Sequence, residues 1–396
     1  MSETPRAPTS PISFGAHWAL AWGGLLSMAS GVGIGRFVYT PILPPMAQAL
    51  ELSKSGAGLI ASANYAGYFC GALLAATLRM PGSRRAWLLG ALFMGGITTI
   101  LMGIATAMPW FLLLRFLGGM ASALVLIHAS ALVLEQLGQI GQPRMIALHF
   151  AGVGFGIAVS AIAVTLLLAA GKDWRWLWFA GGGLSLLATG AVAMLVPDRD
   201  APTPAGPAAA GAMTRALRRM ALAYGLFGFG YVITATFIVS IIRTTPAIQT
   251  LEPVIWVIVG LAAAPSVLLW GALARWIGVP AGFALAALTE AAGVLASVAW
   301  QTATGIILAA ILLGGTFMGL TALGLMRARE LSPGAPRRAM ALLTGCFGIG
   351  QIIGPVFAGV LYDRLGDLSV ASVLAAVALA AAAALAVVRP PRPTSR

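Results

Sequence analysis

Twelve apolar runs, each about 20 residues or longer, fill nearly the whole of this 396-residue sequence. A helix crosses the hydrocarbon of a bilayer in about 20 residues. Lipid-exposed backbone must be bonded within its own segment, and the runs lack the alternation of a membrane β-strand, so they predict helices. They lie near residues 16–42, 56–78, 86–107, 109–135, 144–169, 176–196, 215–242, 252–275, 279–300, 303–327, 337–362 and 368–388. Composition agrees: 59% of the residues are hydrophobic and 9% charged, against about a quarter charged in a soluble domain. A soluble enzyme and a secreted disulfide scaffold are excluded. The net charge of +13 is scattered in short clusters between the runs, with no basic face interleaved with aromatics, so nucleic acid is excluded as a partner. Cys70 and Cys346 lie inside apolar runs and imply neither a disulfide framework nor a metal site. No metal and no cofactor is expected.

The loops give an orientation. Seventeen of the 24 Lys and Arg residues fall on the side of the N-terminus and five on the other, leaving Arg36 and Arg115 within spans. By the positive-inside rule both termini are cytoplasmic, and the expected location is the cell inner membrane, crossed many times. The Ser/Pro/Thr-rich stretch 1–15 reads as disordered rather than as a signal peptide, because the apolar run after it is too long and no cleavage site is clear. Residues 197–214 are rich in Pro and Ala and read as a cytoplasmic linker. The chain thus divides into an N-terminal six-helix bundle (16–196), the linker, a C-terminal six-helix bundle (215–388) and a cytoplasmic tail (389–396). Trp174, Trp176 and Trp178 read as an interfacial belt.

The two halves repeat. Gly33-Ile34-Gly35 aligns with Gly228-Phe229-Gly230 at an offset of 195, Leu117-Gly118-Gly119 with Leu313-Gly314-Gly315 at 196, and Arg144-Met145-Ile146-Ala147-Leu148 with Arg338-Ala339-Met340-Ala341-Leu342 at 194. A six-span unit duplicated in the same orientation is a transporter architecture, with a central site near the midplane.

On these features the chain resembles the major facilitator superfamily. Arg115-x-x-Gly118-Gly119-x-Ala121-Ser122 is similar to its Arg-x-x-Gln-Gly motif, with Gly118 in place of Gln. Gly359-x-Leu361-x-Asp363-Arg364-x-Gly366 resembles its Gly-x-Leu-x-Asp-Arg-x-Gly turn. The copy between spans 2 and 3 keeps Arg84 and Arg85 but lacks the aspartate, and span 5 lacks the Pro of the antiporter motif, which leaves the direction of transport open. Gly33 to Pro44, reading GIGRFVYTPILP, resembles the signature of the YbfB/YjiJ-like transporters, as does Gly228-Phe229-Gly230-Tyr231 with Ala235-Thr236-Phe237. The resemblance implies an all-α membrane protein of twelve transmembrane helices in two pseudo-symmetric six-helix bundles, the major facilitator fold. It implies conformational or gating roles for Arg84, Arg85, Gly118, Gly119, Asp363 and Arg364. It also implies that spans 1 and 4 line the cavity and that Arg115 bonds to span 1 and takes part in proton movement.

Arg36 is the sharpest candidate for a substrate contact. A charge at mid-helix costs at least about 2.5–3.5 kcal/mol, so it faces the bundle interior or water. It either contacts an anionic cargo or locks helices by bonding to carbonyls. Tyr39 follows three residues later on the same helix face. Arg115 sits at a similar depth in span 4. No deep carboxylate in the N-terminal half balances the two arginines, Glu135 being near the boundary, so the missing negative charge is assigned to the cargo. Tyr224 and Tyr231 lie on one face of span 7, and Tyr231 holds the repeat position of Arg36. Asn64, with Tyr65, and Gln351 complete the substrate-site candidates. Glu290, the one carboxylate near mid-span, is a proton-coupling candidate together with His128 and His149, since histidine titrates near neutral pH. The other Trp and Phe residues read as core or lipid-facing.

The expected function is a secondary active transporter moving a small solute, an organic anion by preference, by alternating access with proton coupling. Its partners are that solute, protons and the bilayer, and its working unit is the monomer. A transport-inactive sensor of the same fold and a drug or metabolite exporter without anion preference are the alternatives. An enzyme is not expected, because there is neither a nucleophile with its base nor a His-x-x-x-His pair, and no P-loop for ATP.

Overall fold

A computed structural model describes residues 14–77, 82–139, 143–198 and 213–387. These contain twelve helices long and apolar enough to cross a membrane: α1 (His17–Ala49), α2 (Lys54–Thr77), α3 (Arg84–Met102), α4 (Met108–Gln139), α5 (Pro143–Ala169), α6 (Trp174–Leu195), α7 (Arg215–Arg243), α8 (Glu252–Ile277), α9 (Val279–Ala299), α10 (Ala303–Leu331), α11 (Pro336–Leu365) and α12 (Ser369–Val387). No strand occurs among the described residues. The expectations for 1–13, for most of the 197–214 linker and for the 389–396 tail lie outside them.

Local chemistry sets the helix ends. Ser83, Asp173, Thr214 and Thr302 cap α3, α6, α7 and α10, each side-chain oxygen accepting from backbone N–H groups of the first turn. Gly366, at φ 85°, ends α11 in the left-handed conformation.

The first span runs further than the sequence pattern predicts, on through Pro44 and Pro45 to Ala49. It is also not one regular helix. A π-helical segment, Ala29–Ile34, separates the helix ending at Met28 from the short turn Gly35–Phe37 and the helix Tyr39–Ala49. Gly33 lies there against the Val153 carbonyl and the Gly156 backbone of α5, closer than any side chain would allow. Pro41 has no N–H to give to the Phe37 carbonyl four residues back. That carbonyl accepts instead from the Trp256 indole of α8 at 3.1 Å. Packing against the other half thus supplies what the proline removes.

Within each half the helices follow the repeat: α2 packs on α4 and α3 on α6, as α8 packs on α10 and α9 on α12. Between halves, α2 packs on α11 and α5 on α8. Both contacts are backbone against backbone. Gly58 and Gly359 face the carbonyls of Pro355 and Lys54, and Gly154 and Gly260 face each other's helices. Small residues are how helices associate where lipid gives no hydrophobic drive.

We call the side holding the first residue of α1 the terminal face and its opposite the far face. The halves are tied on the far side. Thr40 donates to the Ala235 carbonyl (2.8 Å), Thr165 to Pro253 (2.7 Å), Ser62 near mid-depth to Ile352 (2.7 Å), and Arg243 to Gln48 (3.0 Å). Asp363, at the end of α11, accepts from the backbone N–H groups of Lys54 and Ser55 at 3.1 and 3.0 Å. A carboxylate of one half thereby caps the N-terminus of a helix of the other.

Candidate functional site

The break in α1 places Arg36 at the middle of the molecule. Its side chain is buried, 7% exposed. Its guanidinium lies over the ring of Tyr68 at 4.3 Å, that of Tyr65 at 5.1 Å and that of Phe37 at 5.6 Å. Nε and Nη2 are buried with no hydrogen-bond partner. The ion pairs among the described residues are Arg84–Glu135, Arg243–Glu252 and Arg327–Glu330, so no carboxylate among them neutralises Arg36. Contacts to aromatic faces are worth about 0.5–2 kcal/mol, less than the cost of leaving a buried charge unpaired. The guanidinium is therefore held by its surroundings but not satisfied by them.

Arg115 has the opposite character. Its Nη1 and Nη2 donate to the carbonyls of Gly35 and Arg36 at 3.1 and 3.2 Å, and its guanidinium faces Tyr39 and Trp178. It fastens α4 to the turn that carries Arg36. Asn64 extends this lattice by donating to the Arg115 carbonyl at 3.0 Å. Gly119 allows α4 to approach α2 there, since any Cβ at that position would strike the Asn64 carbonyl. Gly118 faces Thr98 instead.

Tyr39 does not share the surroundings of Arg36. Its hydroxyl donates to the Ala57 carbonyl at 2.9 Å and its ring packs near Trp178. The belt reading of the tryptophans is corrected here: Trp174 and Trp178 are buried at 5% and 1% exposure, and Trp176 alone of the three faces out at 52%. Trp178 points inward, where its ring lies against the Arg115 guanidinium.

The C-terminal half presents aromatic rings across from Arg36. Tyr231 lies parallel to Phe317 and to Phe347, with centroids 5.8 Å away in both cases, and its hydroxyl accepts from the Gln351 amide. Tyr224 packs on Phe227 and Phe347 and donates to the Thr321 carbonyl at 3.0 Å. Phe37 reaches across to Phe317 at 5.7 Å. On the terminal side of this layer the halves line an open cavity of about 250 Å³, walled by Tyr68, Phe69, Tyr224, Thr321, Thr344, Phe347 and small or aliphatic residues of α2, α4, α10 and α11. Tyr68 belongs to both features: it covers Arg36 and lines the cavity.

The remaining candidates sit apart. Glu290 is fully buried in the C-terminal half, and both its carboxyl oxygens lack a partner. His128 stacks on Trp87 at the terminal side of α4. His149 is packed against Gly24 of α1 and lies 3.3 Å from the Ser130 hydroxyl. Arg84 pairs with Glu135 at 3.3 Å, and Arg85 donates to the carbonyls of Val196 and Ala193, so both fasten α3 to its neighbours. Arg364 is exposed beside the Asp363 cap.

Sequence reasoning missed Tyr68, Phe317 and Phe347. Tyr65 and Tyr68 are spaced i, i+3 on α2, a signal that could have put both on one face. Phe317 and Phe347 carry no such signal, because what matters about them is their partner on another helix.

Comparison with known proteins agrees with this architecture. The chain superimposes on the nucleoside transporter NupG with a TM-score of 0.69 at 17% identity, covering 94% of this chain and 98% of that one. A point mutant of NupG gives 0.71 at 14% identity, with the same coverage. A bacterial homolog of the human lysosomal transporter Spinster, in an inward-facing and occupied conformation, gives 0.69 at 15%, covering 96% of this chain and 97% of that one. At such identities the likeness is one of fold. Among curated proteins no sequence matches. The sequence profile described as "uncharacterised MFS-type transporter YbfB" matches residues 28–387. The chain, twelve helices in two halves around a buried arginine, belongs to that family of major facilitator transporters.

Proposed function

We propose that this protein is a secondary active transporter that moves a small organic anion across the inner membrane by alternating access. The observation that supports the reading is Arg36: a buried guanidinium, aromatic on its faces, with two nitrogens unbonded and no acidic side chain among the described residues to balance it. A cargo carboxylate would supply the missing charge and accept the free N–H groups. In this reading both termini are cytoplasmic, so the cavity belongs to the cytoplasmic side and the far-side ties hold the periplasmic side shut. Rocking of one half on the other opens the alternate side. Glu290 is the proposed proton carrier, a carboxyl buried within α9 without a protein partner. His128 and His149, each packed against a structural neighbour, are secondary candidates. The monomer is taken as the working unit, with transport rather than catalysis as its activity.

The apolar lining of the cavity favours a second reading, export of uncharged drug-like solutes. The two part on one experiment. Purified protein is screened by thermal shift against metabolite anions and uncharged solutes, and hits are tested for counterflow in proteoliposomes with and without a pH gradient. The anion reading expects anions among the hits, and loss of flux in Arg36→Ala at unchanged unfolding temperature. Hits confined to uncharged solutes, or wild-type flux in Arg36→Ala, contradict it.

A further inference from the structure

We infer that the cargo is a small aromatic monocarboxylate and that Tyr68 is the residue that selects its ring. This rests on the anion reading above and names which anion.

Charge fixes the "mono". Among the described residues Arg36 is the one deep cation with unbonded nitrogens able to take a ligand in pairs, because both terminal nitrogens of Arg115 are spent on the Gly35 and Arg36 carbonyls. No charged side chain of the described residues lines the cavity. A second negative charge on the cargo would find no cation among the lining residues to pair with, at a cost.

Volume and lining fix the rest. About 250 Å³ lies below the ~300–1,000 Å³ of a drug-sized pocket, so the cavity takes a small ring, while the acid group reaches past Tyr68 to Arg36, which is not itself in the lining. Few polar groups reach the lining: Tyr224 donates to the Thr321 carbonyl and the Thr321 hydroxyl to the Phe317 carbonyl, which leaves the hydroxyls of Tyr68 and Thr344. A sugar-like cargo would bury more hydroxyls than those two can partner. An aryl ring instead meets the rings of Tyr68, Phe69, Tyr224 and Phe347.

Tyr68 links the two parts of the site. Its ring lies 4.3 Å from the Arg36 guanidinium and also faces the cavity. A carboxylate that takes the guanidinium edge leaves the cation on the Tyr68 face, and the aryl ring behind it packs on the same tyrosine. A saturated ring of equal size keeps the burial and the ion pair but loses the ring–ring contact, a difference of about tenfold in affinity.

The test is isothermal titration of the purified full chain with four probes of similar size: benzoate, cyclohexanecarboxylate, phthalate and benzamide. Benzoate is expected to bind about tenfold tighter than cyclohexanecarboxylate, with phthalate and benzamide weaker still. Tyr68→Leu should bring the two monocarboxylates to equal affinity, and Tyr68→Phe should keep them apart. Equal affinities in the wild type, or a gap that survives Tyr68→Leu, overturn the ring selection and leave the anion reading standing. Benzamide binding as tightly as benzoate overturns both, and no binding by any probe overturns the inference. Should Tyr68→Leu fail to fold, the wild-type ratio and Tyr68→Phe decide.

Discussion

Thr40 and Ala235 stand 195 residues apart, occupy the same place in the two repeats, and are bonded to each other, hydroxyl to carbonyl, at 2.8 Å. Gln48 and Arg243 repeat the relationship at the same separation and 3.0 Å. Equivalent positions of two copies can touch only where the symmetry axis passes. The axis relating the halves therefore runs between α1 and α7. Arg36 and Tyr231 are equivalent by the same count, so the central site is where the repeats diverge: a cation in one, a stacked phenol in the other.

The Asp363 cap on α2 has no such mate. The equivalent contact between α5 and α8 is the hydroxyl–carbonyl bond of Thr165 to Pro253. Asp363→Asn keeps the shape but weakens the charge-assisted bonds to the Lys54 and Ser55 amides. It should loosen the far-side tie by about 1 kcal/mol, roughly a fivefold shift in the balance of the two access states. Labelling of a cysteine placed in the far-side crevice, as at Ser240, should rise accordingly. An unchanged labelling rate would remove Asp363 from the gate.

Gly118 and Gly119 are adjacent but not equivalent. A Cβ at Gly119 would run into the Asn64 carbonyl, a backbone atom that cannot yield, whereas at Gly118 it meets the Thr98 hydroxyl at 3.2 Å. Gly119→Ala should destabilise by about 1–3 kcal/mol and Gly118→Ala by much less. Comparison of unfolding temperatures in one detergent checks the order.

Arg115→Lys keeps the charge but loses the fork that spans two carbonyls. We expect a fall in unfolding temperature worth about 1–3 kcal/mol and a slower turnover. The affinity of any cargo should change little, because Arg115 positions the turn rather than the ligand. A selective loss of affinity at normal stability would transfer Arg115 to the binding site.

Glu290→Gln preserves shape and removes the titratable group. Neither carboxyl oxygen bonds to protein, so folding should be unharmed. Flux driven by a proton gradient should fall at least tenfold while counterflow without a gradient persists. Gradient-driven flux at the wild-type rate would exclude Glu290 as the carrier.

The sequence carried the fold and one side of the site. Apolar runs and a near-constant offset depend only on composition and order, so the twelve helices and the repeat were legible. Arg36 was legible because a charge inside an apolar run is conspicuous, and Glu135 could be set aside by its depth. The π-helical segment was not, since a Gly-rich run reads equally as ordinary close packing. Trp178 looked interfacial beside Trp176 because position in the chain does not tell which side of a helix meets a neighbour. The Asp363 cap joins residues 309 and 308 apart, and the Phe347–Tyr231 stack joins two helices; such pairings exist only once the halves are folded together.

The account turns on whether Arg36 waits for a negative charge brought by the cargo. The direct measurement is the affinity of an anionic hit for the wild type and for Arg36→Gln at matched unfolding temperature, by isothermal titration. The account predicts a loss of about a hundredfold or more, the scale of a buried charge-assisted pair. Equal affinity in the two proteins would contradict it.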